Sequence, residues 1–147
     1  MKRHSSIASL SREHHGALIL ARLLQKNAPP YKNLPTDLKE KAAYATDKYH
    51  TDLMGHFLAE EVSLLEQVSG INKSMDIIVE EIYAEHKELR SLFELIPAST
   101  NLKEDLNSLG LALENHIRKE ERILFPLIQD NCDEDLLNHI QKLLAEK

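Results

Sequence analysis

Four histidines and two glutamates recur at helical spacing among apolar residues: His14, His56 with Glu60, His86, and His116 with Glu120. Imidazole and carboxylate are both metal ligands, and a carboxylate buried without a cation is costly enough to demand one. The apolar seams that carry these six residues hold almost no Lys or Arg, so bound metal is the source of positive charge that the pattern calls for. Residues i and i+4 lie about 6 Å apart along a helix and some 40° apart around it. His56-x-x-x-Glu60 and His116-x-x-x-Glu120 therefore each aim an imidazole and a carboxylate into one space. Two such helices facing each other offer two carboxylates able to bridge metals about 3.5–4 Å apart. His14 and His86 add terminal nitrogen from the two remaining helices.

A donor set of imidazole and carboxylate without thiolate suits two iron ions, with manganese or zinc as the other candidates. Neither the Glu-x-x-His pattern of ferritin-like di-iron bundles nor the His-Glu-x-x-His of zinc proteases occurs. A single core-facing histidine is usually satisfied by a carbonyl or a polar neighbour. Four of them, one near the middle of each helix and sharing seams with two glutamates, are not the scatter that chance gives. His4, His50 and His139 fall off these seams and are expected to face solvent. His15 lies about 100° around the helix from His14, which favours His14 over His15 as the ligand and leaves His15 to the rim or to supporting a ligand from behind. The charged run 118–122 reads as a solvated face, Glu120 excepted.

Positioning six such residues needs long amphipathic helices. Gly is scarce at 4, four of the 5 prolines fall between apolar-periodic runs, and strand-like alternation is absent. The first helix spans about Ser5 to Asn27, with Ile7, Leu10, His14, Leu18, Ala21 and Leu24 at spacings of three or four, and Pro29 and Pro30 stop it. The second runs from near Pro35 to about Ser69 on a seam of Leu38, Ala42, Ala45, Tyr49, Leu53, His56, Glu60 and Leu64. The third opens around Asn72 to Ser74 and closes before Pro97, with Met75, Val79, Ile82, His86, Leu89, Phe93 and Ile96 inward. The fourth starts at Asn101, read as a capping residue with Glu104, and lines up Leu102, Leu106, Leu109, Leu113, His116, Glu120, Ile123 and Leu127. Pro126 should kink or end it. A short fifth helix, about Asp133 to Glu146, packs across one end. Short connections between long helices favour antiparallel neighbours, so the expected fold is all-α: an up-down-up-down four-helix bundle with a short C-terminal fifth helix. The ligands alternate one histidine with histidine plus glutamate, the rhythm of a doubled helical hairpin.

At 147 residues the chain is expected to form one domain, 1–147. Lys and Arg total 18 against 24 Asp and Glu, and the net charge of -6 argues against nucleic acid and anionic membrane surfaces as partners. Cys132 is the single cysteine, so an internal disulfide is excluded. With neither a signal-like start nor an apolar run of membrane-spanning length, a cytoplasmic location is expected.

GluHisHisGlyAlaLeu at 13–18, HisPheLeuAlaGluGlu at 56–61, GluHisLysGluLeu at 85–89 and HisIleArgLysGluGluArgIleLeuPhePro at 116–126 resemble the successive motifs of the hemerythrin-like, or HHE cation-binding, family. The resemblance covers nearly the whole chain. It implies a non-haem di-iron site inside a four-helix bundle, with Glu60 and Glu120 as bridging carboxylates. Oxygen-carrying members place a further histidine one turn after the third-helix ligand, where this chain has Arg90. The site would then hold four histidines rather than five and keep an open iron position, resembling members linked to iron sensing, nitric oxide or iron-centre repair. Repair members also carry an N-terminal cysteine-bearing segment that this sequence lacks. Three functions follow as expectations: binding or sensing a small diatomic such as oxygen or nitric oxide, oxidase, peroxidase or nitric-oxide-related enzyme chemistry at the same centre, and an iron-responsive interaction module.

Overall fold

A computed structural model describes residues 2–146. Five helical runs make up the fold: α1 (Ala8–Leu23), α2 (residues 38–68), α3 (Lys73–Leu95), α4 (residues 102–131) and α5 (Glu134–Ala145). No strand is present among the described residues. No helix among them is long and apolar enough to cross a membrane.

The ends are set by local chemistry. Asp37 accepts from the Glu40 N–H at 2.8 Å and starts α2 two residues after the expected Pro35. Asn72 does the same for the Met75 N–H at 2.8 Å, and Asp133 for that of Leu136 at 2.8 Å. Asn101 departs from expectation, because its side chain makes no cap. Ser99 takes over there, donating to Asp105 at 2.6 Å and accepting from the Asn101 N–H at 3.1 Å. α1 begins three residues later than expected and ends at Leu23, ahead of Asn27, whose φ of 66° is left-handed.

Two apolar clusters sit at opposite ends of the bundle. One gathers Leu20, Tyr49, Phe57, Leu89, Phe93, Leu106 and Leu113, and the other gathers Ile7, Leu10, Leu64, Met75, Ile82, Leu124, Phe125 and Ile140. Along α1 the chain passes from the second cluster to the first, along α2 back again, and α3 and α4 repeat the cycle. That order is the up-down-up-down topology, with α5 covering the second cluster through Leu137 and Ile140. Burying each such side chain contributes about 1.5–3 kcal/mol. The clusters clamp from both ends a polar layer that would not hold itself together.

Both long seams contain runs of four-residue steps, 45–49–53 and 60–64 in α2 and 116–120–124 in α4. A strict α-helix drifts around its axis on such steps. π turns at Tyr49–Leu53, Glu60–Leu65 and Glu120–Leu124 absorb the drift, because each takes one residue more per turn. The last of these shifts the seam of α4 onto Leu124, Phe125 and Ile128, all fully buried, and turns the expected core residue Ile123 outward at 47% exposure. Leu38, also expected on the seam, is 41% exposed because it opens α2 beyond the packed region. Pro126 does not end α4. It follows the widened turn, where the ordinary hydrogen-bond ladder is already interrupted, and the helix runs on to Asn131.

Candidate metal centre

The structure brings all six expected residues together between the two apolar clusters, each 5% exposed or less. Glu60 and Glu120, wholly buried, occupy the first positions of their π turns and face each other across the bundle. Their ligand atoms divide into two overlapping groups. His14 and His56 join both carboxylates in one, His86 and His116 join the same two in the other, and the atoms of each group lie within 4.8 Å of one another.

The geometry is nearly two-fold. His56 Nε2 lies 3.1 Å from Glu60 Oε2, and His116 Nε2 lies 3.1 Å from Glu120 Oε2. Across the bundle, His14 Nε2 is 2.8 Å from Glu120 Oε1 and 3.5 Å from Glu60 Oε2. His86 Nε2 is 3.1 Å from Glu60 Oε1 and 3.5 Å from Glu120 Oε2. Each carboxylate thus turns one oxygen to each histidine pair. Despite this proximity, all four Nε2 atoms and all four oxygens are buried with no hydrogen bond of acceptable alignment. Buried polar atoms are rarely left so. Their lone pairs converge on the spaces between them, which is the arrangement that fits a bound cation on each side.

Four further carboxylates fix the outward ring nitrogens. Nδ1 of His14 meets Glu121 at 2.6 Å, that of His56 meets Glu13 at 2.6 Å, that of His86 meets Glu61 at 2.7 Å and that of His116 meets Glu85 at 2.7 Å. Glu13 and Glu85 precede His14 and His86 in sequence, while Glu61 and Glu121 follow Glu60 and Glu120. Each reaches the histidine of the next helix, so the four bonds form a closed ring around the bundle. Ionised carboxylates only accept hydrogen bonds, so Nδ1 carries the proton and Nε2 is the nitrogen presented inward. Cations in turn hold Glu121, Glu61 and Glu85: Arg3 meets Glu121 at 3.1 Å, Arg90 meets Glu61 at 2.9 Å and Lys119 meets Glu85 at 2.8 Å. Burial disfavours the anions of Glu61, Glu85 and Glu121, yet Arg90 and His86 at the first, His116 and Lys119 at the second, and His14, Ser11 and Arg3 at the third keep all three carboxyls below the usual range.

The inner imidazoles and carboxylates lie close enough to shift one another's protonation. Burial opposes charge on His14, but Glu120, Glu121 and Glu60 outweigh it and push the ring up to about 12. His116 rises against burial to about 10 through Glu120 and Glu85. His56, through Glu60 and Glu13, and His86, through Glu120 and Glu60, each rise to about 9. The Glu60 carboxyl, although desolvated, is held well below its usual range, chiefly by His56. A centre that attracts protons so strongly has a field suited to other cations.

His15, His50 and His139 are exposed as expected, and His4 is partly buried, 2.8 Å from Ser6 and 3.0 Å from Glu134. The run 118–122 is not simply solvated, because Lys119 and Glu121 both belong to the outer ring. Glu13, Glu61, Glu85 and Glu121 were not anticipated as functional. Their sequence signal was an acid adjacent to a ligand candidate once in each helix. Cys132 is half-buried, and its thiol is pushed up by burial and Asp133, which leaves it a weak nucleophile.

Fold and site together define a four-helix bundle with a buried cluster of four histidines and two shared glutamates, a cation-binding architecture. The chain belongs to the hemerythrin family, described as the hemerythrin HHE cation binding domain, which it matches over residues 5–128 and a second time over residues 77–146. The second match covers the α3–α4 hairpin and α5. No curated protein and no solved structure matches the chain.

Proposed function

We propose that the protein binds two iron ions and takes up or senses a small diatomic ligand, oxygen or nitric oxide, at an open iron position. The observation that carries this reading is the pair of ligand groups that share both Glu60 and Glu120 while eight inward atoms lack hydrogen bonds. His14 and His56 would hold one ion, His86 and His116 the other, with Glu60 and Glu120 bridging. Bound metal supplies a redox-active charge that neutralises the buried carboxylates and a coordination position for an exogenous ligand. The chain's own residues do the rest. The outer ring fixes each imidazole, Phe57 stacks on His86 at 4.6 Å, Phe125 stacks on His14 at 5.5 Å, and these rings exclude water from the centre.

The open position rests on Arg90. Where a fifth histidine would stand, its guanidinium turns to both oxygens of Glu61, at 2.9 and 3.0 Å, and lies 5.7 Å over the Phe57 ring. An arginine, always protonated and committed to Glu61, does not ligate metal. Domain 1–147 acting as one unit in a cytoplasmic setting completes the proposal. Anaerobic iron reconstitution followed by metal analysis tests it. Two ions per chain is the expected result, and a reproducible value of one or none overturns the binuclear reading.

A further inference from the structure

Beyond the metal centre, the fold leaves one side of the bundle open. A cavity of ≈ 810 Å³ lies between α1 and α2 under the connection that joins them, within the range of about 300–1,000 Å³ typical of small-molecule sites. Its floor is buried and apolar, formed by Ala17, Leu20 and Leu53, and it ends against His56. Its lining also holds three cations, Arg12, Lys32 and Lys48, against two carboxylates. Both carboxylates are engaged, Glu13 with His56 Nδ1 at 2.6 Å and Asp52 with Lys48 at 3.6 Å. Cations thus outnumber carboxylates along the lining, in a protein whose net charge is -6.

The glycines give an independent sign that this space is kept open. Gly70 is needed for its φ of 86°, and Gly110 for close packing, since a Cβ there would come within 2.5 Å of the Ala21 carbonyl. Gly16 and Gly55 have neither reason. Each lies inside a helix, where glycine weakens the fold, with a helical φ and nothing within 4 Å of an added Cβ. Both line the cavity, one from each wall. At the pseudo-equivalent seam between α3 and α4, Lys119 bridges Glu81 and Glu85.

We propose that this cleft binds a small amphipathic organic anion, its apolar body on the floor against His56 and its charged head between Arg12 and Lys32. The site is independent of the di-iron reading. Calorimetric titration of the apo and iron-loaded protein with octanoate, octyl phosphate and octan-1-ol tests it. Both anions are expected to bind at one site per chain, with octanol at least tenfold weaker, and the tighter anion identifies the head group preferred. Arg12→Ala with Lys32→Ala should weaken the anions about tenfold and leave octanol unchanged. Gly16→Leu or Gly55→Leu should abolish binding of all three without lowering the melting temperature or the metal content. Absence of binding, octanol binding as tightly as octanoate, or full binding by a cleft-filled variant whose melting temperature is not lowered would overturn the proposal. Metal content is measured separately, so loss of the di-iron reading would leave these titrations intact.

Discussion

Glu121→Gln separates an outer carboxylate that tunes the centre from one that merely decorates the surface. Glu121 accepts from His14 Nδ1 at 2.6 Å and from Ser11 at 2.9 Å, and it is held by Arg3. Glutamine keeps the size and one acceptor oxygen but removes the anion. Loss of such a partner costs metal affinity by about 10–100-fold. Here the proton benefits from Glu121 as well, since Glu121 is one of the groups that raise His14 to about 12. Weakening proton and metal together cancels part of the effect at neutral pH, which places the expected loss near the lower bound, about tenfold or about 1.4 kcal/mol. His14 belongs to one ligand group only, so one of two ions should weaken and the other stay. Anaerobic titration with iron(II) against a competing chelator resolves the two affinities, with Glu88→Gln, an exposed glutamate on α3, as control. Equal affinities for the two variants, or an equal loss at both ions in Glu121→Gln, would refute the reasoning.

Further outcomes follow from the same geometry. Because the apo imidazoles titrate at about 9 to about 12, above their usual 6.5, their protonation stabilises the fold fully at low pH and that contribution is lost as pH rises through this window. The apo melting temperature should therefore fall through that alkaline window more steeply than that of the metal-loaded protein, and calorimetry near neutral pH should record proton release on metal uptake; metal binding without proton release would contradict the assigned states. Gly110→Ala should destabilise by about 1–3 kcal/mol through the clash with the Ala21 carbonyl, whereas Gly16→Ala should gain up to about 1 kcal/mol. Melting shifts of the same sign in the two variants would show that α1 and α4 are not packed as described. Azide should give a new charge-transfer band in the diferric protein, and Arg90→His should weaken that response by crowding the open position; unchanged azide affinity would place the opening elsewhere.

The sequence by itself determined the helices, their order and the six inward ligand candidates, because each depends on local periodicity: an i, i+4 pair shares a face whatever lies across from it. α3 shows this most plainly, with all seven of its expected inward residues, Met75 to Ile96, buried. What periodicity could not provide was any property that depends on a second helix. Ile123 turned outward because a π turn changed the register, and the steps of four along 116–124 were its only local trace. Glu121 looked like one charge in a solvated run until α1 brought His14 Nδ1 to it, and Glu13, Glu61 and Glu85 acquired their partners the same way. Arg90 was legible as a missing ligand, yet its commitment to Glu61 was not. The cleft against His56 is likewise a relation between two helices, so the space that Gly16 and Gly55 leave open is visible only in the fold. Candidate ligands can be read from residue types and spacing, while the hydrogen-bond partners and open space around them exist only once separate faces are brought together.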